Sequence, residues 1–314
     1  MAIRGLINAL RKESAKPSIL KSKVFDYLVE NADTLDQHSD EDLRFLTALM
    51  SRGTERNAEV FSPSGATNCK REQIITKSGF GKAKITDPHL LNIFEDGKWR
   101  HLRWQYIFYR MGILHAVEVF TTLGNGHYGG TPDSIVELVN DPYAYLKYLL
   151  ETLYGVEIKG ANASVWIEVN RSGKPLNHHM VQAQVYMAIN NIGKWIFWYE
   201  NKNTNEICEI VVDYDPKIAA HYLKRRNYMN KFLRLKGFPK EECNVMSKER
   251  KYTQCPQRRA CPRLPVHVVI DGKLTKIGEP RKSDPTFASW NTLPLVKLEG
   301  LKGERVTQSL LSQN

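Results

Sequence analysis

The run Val156-Glu157-Ile158-Lys159-Gly160 constrains this chain more than any other stretch. Apolar β-branched residues alternate there with a carboxylate and an ammonium. Alternation of that kind belongs to a strand, in which side chains two apart point to the same face. Glu157 and Lys159 therefore share a face, and the expectation is that they emerge together from one edge of a sheet. A fold that places such a pair has to bring it something to act on.

Three further pieces are spaced so that a fold can deliver them to that face. Gly130-Thr131-Pro132-Asp133-Ser134-Ile135-Val136 reads as a turn that carries a carboxylate into the start of a strand. Upstream, residues 87–113 read as a helix opening at Asp87-Pro88 and ending near Gly112. On it His101, Gln105 and Tyr109 recur at four-residue spacing and share a face. Downstream, the helix expected over Asn177–Asn191 places Gln182 and Tyr186 one turn apart.

Each piece alone is commonplace. A Glu-x-Lys pair is usually a solvated ion pair, an aspartate at a turn is usually a cap, and Gln182 with Tyr186 fits ordinary helix packing. The ordered set is much rarer, and it suits one chemistry. Hydrolysing a phosphodiester needs a hard divalent cation, a water deprotonated near neutral pH and a stabilised leaving oxygen. Mg²⁺ takes oxygen ligands and keeps several waters, so Asp133 and Glu157 from adjacent strands are the candidate ligands. Lys159 offsets their repulsion and holds the water or helps deprotonate it. His101 is the candidate ligand of a second ion. This is the pattern of a metal-dependent nuclease site.

The remaining elements surround that centre. Residues 1–58 read as a helical, polar outer layer, with a helix start at Ser39-Asp40-Glu41-Asp42. Ser62 and Pro63 suggest a short helix with Cys69 two turns inside it. Strands are expected over 113–120, 133–139, 156–160, 194–200 and 206–213, the last two as a hairpin. A helix is expected over 141–154, inserted between two core strands, and another over 215–235 with a basic patch at Lys224, Arg225 and Arg226. Glycine and its neighbours mark a turn over 124–130, and Val266–Ile270 is a candidate strand. The segment 307–314 is expected to fray.

The formal net charge of +11 favours a polyanion or an anionic membrane surface without choosing between them. Basic residues cluster at Lys70-Arg71, Lys98–Arg103, Lys224–Arg226, Lys248–Lys251 and Arg258-Arg259, with tyrosines and tryptophans among them, as a single-stranded path would use. No apolar run is long enough to span a bilayer. The N-terminus turns charged at Lys12 and Glu13, too early for a signal-peptide core. Cytoplasmic placement is the expectation.

Five cysteines, an odd number, suit ligation or packing better than a disulfide framework. Cys208, in Ile207-Cys208-Glu209-Ile210, reads as a buried strand residue. Cys69, Cys243, Cys255 and Cys261 form a candidate ligand set. Four thiolates meeting at one point hold a [4Fe–4S] cluster or a zinc ion, and a cross-link would order a region poor in core residues.

The set His101, Gly130-x-x-Asp133, Glu157-x-Lys159 and Gln182-x-x-x-Tyr186 resembles the RecB-type nucleases of the PD-(D/E)XK superfamily, particularly phage-encoded and CRISPR-associated members. The resemblance covers roughly residues 61–261. It implies an α/β core, a central mixed sheet flanked by helices, and Mg²⁺- or Mn²⁺-dependent cleavage of DNA. It further implies that the Ile158 carbonyl meets the metal, and that Gln182 and Tyr186 line the DNA strand beside it. One cysteine before the motifs and three after is also similar to the cluster plan of several such nucleases. The chain departs from the pattern in two places: Asp133 and Glu157 lie further apart than usual, and eleven residues separate Cys243 from Cys255. Trp166-Ile167-Glu168-Val169-Asn170 offers Glu168 as a rival to Glu157, with Asn170 in place of the lysine.

The expected organisation is a helical region over 1–58, a nuclease domain with its cluster cysteines over 59–263, and a partly flexible extension over 264–314. The expected activity is that of a DNA exonuclease serving phage or mobile-element recombination, replication or end processing, in the host cytoplasm if phage-encoded. Its partners are DNA, as single strands or duplex ends, and recombination or replication proteins; an oligomer is compatible with the sequence. The alternatives are a DNA-binding assembly factor on a nuclease-derived fold, and an endonuclease.

Overall fold

The structure is a computed structural model that describes residues 18–51, 60–79, 87–123, 128–138, 152–240, 242, 255–258, 260–261 and 264–278. The turn over 124–127, the helix expected over 141–151, Cys243, Lys248–Lys251, Arg259 and the segment 307–314 lie outside the described residues. The chain divides into two compact units. One comprises Met1–Glu55, His89–Thr121 and Gly130–Asp215; the other comprises Arg56–Pro88, Thr122–Gly129 and Pro216–Asn314.

The first unit is built on a five-stranded mixed sheet. Its strands are β1 (Leu114–Val117), β4 (Ser134–Glu137), β5 (Leu153–Ala161), β6 (Lys194–Asn201) and β7 (Ile207–Asp213), in spatial order β1-β4-β5-β6-β7. Only β5 and β6 run parallel; the other neighbours are antiparallel. The strand carrying Glu157 and Lys159 is thus the centre of the sheet and not an edge. It also begins earlier than expected: Leu153 and Tyr154 belong to the strand, although their spacing suited a helix.

Strand alternation sorts the core into two layers. On one face Val156, Ile158, Ile196 and Trp198 pack with Leu20 and Val24 of α1 (Lys21–Glu30) and with Trp104 and Phe108 of α4 (Pro88–Arg110). On the other, Ala161, Trp195, Phe197 and Tyr199 pack with Val169 of α5 (Ala163–Ser172) and with Ala183, Tyr186 and Met187 of α6 (Asn177–Asn190). Helices on both faces of a mixed sheet are the architecture expected. At Gly155 a Cβ would lie 2.1 Å from the Trp195 ring, so the indole needs glycine on the neighbouring strand.

Helix ends show where local signals held. Ser39 and Asp42 bond one another's backbone at the start of α2 (Asp40–Ser51), as the capping pattern requires. Gly112, with φ 68°, follows the end of α4. The start of α1 uses a distant group instead: the Glu209 carboxylate of β7 accepts from the N–H groups of Ile19 at 2.7 Å and Lys21 at 2.5 Å. The rival motif Trp166–Asn170 lies within α5 (Ala163–Ser172), capped by Asn162 through Val165 N–H. Glu168 is exposed on that helix, so the rival motif is removed.

In the second unit, Pro63–Gly65 is a single 3-10 turn, and a new helix, α3 (Lys70–Lys77), starts after Cys69. Cys69 is therefore an N-cap residue, not a residue inside a helix begun at Pro63. α3 packs on α7 (Pro216–Arg234), and β8 (Val266–Ile270) pairs with β9 (Lys273–Gly278), a partner the sequence did not suggest. Two short strands, β2 (Thr121–Leu123) and β3 (Tyr128–Gly130), form a separate ladder.

Candidate active site

Asp133 ends the turn before β4, and Ser134 pairs with Val156 as the last rung of the β4–β5 ladder. Beyond that rung β5 has a strand neighbour only on the β6 side. The Asp133 side chain fills the gap: its Oδ2 accepts the Ile158 N–H at 2.8 Å. A main-chain donor that would otherwise be orphaned thereby fixes one oxygen of the first acid. The other oxygen, Oδ1, lies 3.5 Å from His101 Nδ1. Gln105, one turn further along α4, donates to the Asp133 carbonyl at 2.8 Å.

Glu157 is buried (1% exposed). Its Oε1 accepts from Lys159 Nζ at 2.5 Å and from Gln182 Nε2 at 2.7 Å. Its Oε2 is buried without a partner among the described residues. Burial, and then the charge of Asp133, push the Glu157 pKa up to about 7 against the opposing pull of Lys159 and His101. Burial alone would depress the Lys159 ammonium, but Glu157 and Asp133 outweigh it and hold its pKa above the usual lysine range. Lys159 and Glu157 thus favour one another's charged form at the centre of the sheet.

Tyr186 does not reach the carboxylates. Its hydroxyl donates to the Thr131 carbonyl at 2.9 Å, and its ring stacks on Trp195 with centroids 5.6 Å apart. Tyr109 is also elsewhere, stacked on Phe45 at 4.0 Å. The structure therefore brings together Asp133, Glu157, Ile158, Lys159, Gln182 and His101, with Gln105 and Tyr186 behind them. Gln105 was legible as a face-mate of His101, but not its bond to a backbone carbonyl.

Two other groupings had no sequence signal. Tyr199, opposite Lys159 in the parallel ladder, receives the Leu176 N–H at 3.2 Å and hydrogen-bonds His179 Nδ1 at 2.7 Å. Burial, with Lys159 and His178 adding to it, drives the His179 pKa down to about 3, so that imidazole is neutral beside the lysine. Glu200 is fully buried and receives Arg100, Arg103 and the Trp104 indole N–H, all from α4.

Several members of the basic clusters have partners within the chain. Arg100 and Arg103 are committed to Glu200, and Lys70 and Arg225 to Glu242. Arg71 is buried, donating to the carbonyls of Pro239, Cys261, Leu264 and Pro265. Arg226 is buried too. Of the 224–226 patch, Lys224 alone is exposed.

Cys69, Cys208, Cys255 and Cys261 form no disulfide with one another, and Cys208 is buried in the strand as expected. Burial pushes the Cys255 thiol up to about 12, with Glu72, Cys261 and Cys69 adding to the rise against a backbone hydrogen bond. Arg71 Nε donates to Cys261 Sγ at 3.2 Å. Among the described residues no group of three or more His, Cys, Asp or Glu side chains is gathered at metal-holding distance. No helix among them is long and apolar enough to cross a membrane.

The sequence matches no family model and no curated protein. Among solved structures the chain is similar to the alkaline exonuclease LHK-Exo from Laribacter hongkongensis, with TM-score 0.42 and 15% identity over 57% of this chain and 90% of that chain. LHK-Exo in complex with dAMP gives 0.41 and 18% over 57% and 89%. SSO0001 gives 0.40 and 15% over 72% and 97%.

Proposed function

We propose that the chain is a metal-dependent DNA nuclease acting as an exonuclease, with Asp133, Glu157 and the Ile158 carbonyl as the cation ligands. The observation that carries this reading is the orphaned Oε2 of Glu157, a buried oxygen of a carboxylate on which the Asp133 charge acts. Such an oxygen fits a hard cation. The Ile158 N–H leaves β5 on the Asp133 side, and its carbonyl leaves on that side too. When bound, the divalent ion supplies charge neutralisation at the phosphodiester and a more acidic water.

The residues of the chain divide the remaining work. Gln182 and Lys159 hold Oε1 of Glu157 and so leave Oε2 for the cation. The Ile158 N–H does the same for Asp133, leaving Oδ1 on the His101 side, where His101 is the candidate ligand of a second ion. Lys159, protonated throughout the neutral range, orients the attacking water and offsets charge developing at phosphorus. Gln105 and Tyr186 position the loop that carries Asp133.

The cysteines support a second, structural centre. Cys69 and Cys261 act electrostatically on Cys255, and a buried guanidinium donates to the Cys261 sulfur. That donor suits thiolate ligands, with Cys243 as the fourth. A [4Fe–4S] cluster is the proposed occupant and zinc the alternative. Iron, zinc and sulfide analysis of the purified protein, with its visible absorption, distinguishes them.

The activity is tested by digesting end-labelled single- and double-stranded DNA with Mg²⁺ or Mn²⁺, wild type against Lys159→Ala. The expected result is stepwise shortening by the wild type and a loss of about 100-fold or more in the variant, the size seen when one transition-state donor is removed. Binding without cutting by the wild type would leave only the assembly-factor reading. Discrete fragments from closed circular DNA would make it an endonuclease.

A further inference from the structure

The second unit buries polar groups that have no partner among the described residues. Tyr128, at the start of β3, is 0% exposed and lies against Phe61, ring centroids 6.3 Å apart. Its hydroxyl has no hydrogen-bond partner among the described residues. Arg226 on α7 is 8% exposed. Its Nε and Nη2 share a single acceptor, Asn227 Oδ1, at 3.2 and 2.7 Å. Among the described residues no carboxylate pairs with it. Its guanidinium carbon lies 5.7 Å from the centroid of the Tyr128 ring. Arg225 gives its terminal nitrogens to Glu242 and to the Asn68 carbonyl, yet its Nε is buried and unpartnered.

These orphans belong together. Burial drives the Tyr128 pKa up to about 12, while the charges of Arg225 and Arg226 act on the same phenol in the opposite direction. The three donors come from two elements, β3 and α7. A buried cation without a counter-charge is strongly disfavoured, and a water would satisfy donors without neutralising it. What completes the group is an anion with more than one acceptor oxygen, because the Tyr128 hydroxyl and Arg225 Nε both lack an acceptor and the Arg226 guanidinium beside the Tyr128 ring lacks a counter-charge among the described residues.

We propose that Tyr128, Arg225 and Arg226 form a binding site for a tetrahedral oxyanion of the phosphate class. The site is independent of the acidic centre in the first unit and of the reaction proposed there. Its ligand is either free phosphate or a phosphate of a nucleic-acid strand.

The test uses the full chain in EDTA, titrated with sodium phosphate and, at matched ionic strength, with sodium chloride. Melting temperature and calorimetric heat are the readouts for wild type, Arg226→Met and Tyr128→Phe. Phosphate is expected to raise the wild-type melting temperature saturably, and chloride is not. Binding should weaken by about tenfold or more in Arg226→Met, as for loss of a charge-assisted pair, and less in Tyr128→Phe. In chloride alone Arg226→Met should melt above the wild type, because its unpaired buried charge is gone; saturating phosphate should reverse that order.

Absence of a saturable phosphate effect in the wild type overturns the proposal. So does an Arg226→Met protein that binds phosphate like the wild type, or one that melts below it in chloride, since the guanidinium would then serve only to stack on Tyr128. If Arg226→Met does not fold, Tyr128→Phe decides: the change removes only a hydroxyl that has no partner among the described residues, so an undiminished phosphate response in it rejects the site. With binding established, competition by a terminally phosphorylated oligonucleotide but not by its unphosphorylated twin identifies a strand end as the source. Competition by both identifies internal phosphodiesters, and competition by neither identifies the free anion.

Discussion

The Tyr186 hydroxyl donates to the carbonyl of Thr131, two residues before Asp133. A tyrosine on α6 thereby sets the backbone that aims an acid on the opposite side of the strand gap. Tyr186 and Gln182 are a turn apart on α6, yet one holds the Asp133 loop and the other holds Glu157. The helix acts as a ruler between the two carboxylates.

Removing that hydroxyl tests the ruler. Tyr186→Phe keeps the ring on Trp195 but orphans the Thr131 carbonyl, at a stability cost of about 1–2 kcal/mol. If the bond positions Asp133, the divalent-ion concentration giving half-maximal nuclease activity rises several-fold, while DNA binding in EDTA is unchanged. A variant that loses stability with an unaltered metal dependence would show that Tyr186 serves packing alone.

The pH dependence of stability follows from Glu157. Its folded pKa of about 7 stands above the ordinary carboxylate value of 4.5, so the folded chain holds more protons than the unfolded chain between those values. Stability contributed by the protonated form is therefore present below about pH 4.5 and is lost as pH rises through about 7. The full loss is on the order of 3 kcal/mol. In EDTA, Glu157→Gln should flatten this decline and melt above the wild type at pH 8. Mg²⁺ should stabilise the wild type there and leave the variant unmoved. Parallel melting curves for the two proteins across that range would refute the assignment of a buried, cation-seeking carboxylate.

The buried Glu200 clamp gives a contrasting expectation. Three donors of α4 converge on it, and the same helix presents His101 and Gln105 to Asp133. Glu200→Ala strands Arg100 in the interior and should cost about 3–5 kcal/mol, the usual penalty for breaking a buried ion pair from one side. Chemical denaturation measures it. A loss below about 1 kcal/mol, the value of an exposed pair, would mean that α4 is held by its apolar face alone.

Much of the first unit was readable from residue order because its signals are local. The strands expected over 194–200 and 206–213 and the helix expected over 177–191 match their elements almost to the residue. The Glu157–Lys159 pairing follows from strand geometry with no knowledge of the neighbours. Where two periods compete, local reading failed. Leu153 and Tyr154 fit a helix until the β4 ladder claims them. The partners of the basic clusters were not legible for a similar reason. Charge can be counted in a sequence, but a buried partner such as Glu200 or Glu242 cannot be found there.

The order of residues alone determined which side chains share a strand face or a helix face, since a fixed repeat of two or 3.6 residues carries that information along the chain. It therefore contained the pair Glu157–Lys159 and the pair Gln182–Tyr186. Only the tertiary structure decided that β5 is central, that its ladder with β4 stops at Ser134, and that Asp133 closes the open rung. The same holds for the unmatched Arg226 and Tyr128, which lie about a hundred positions apart. Burial and partnership are properties of the packed interior, where water no longer satisfies whatever the fold leaves unpaired.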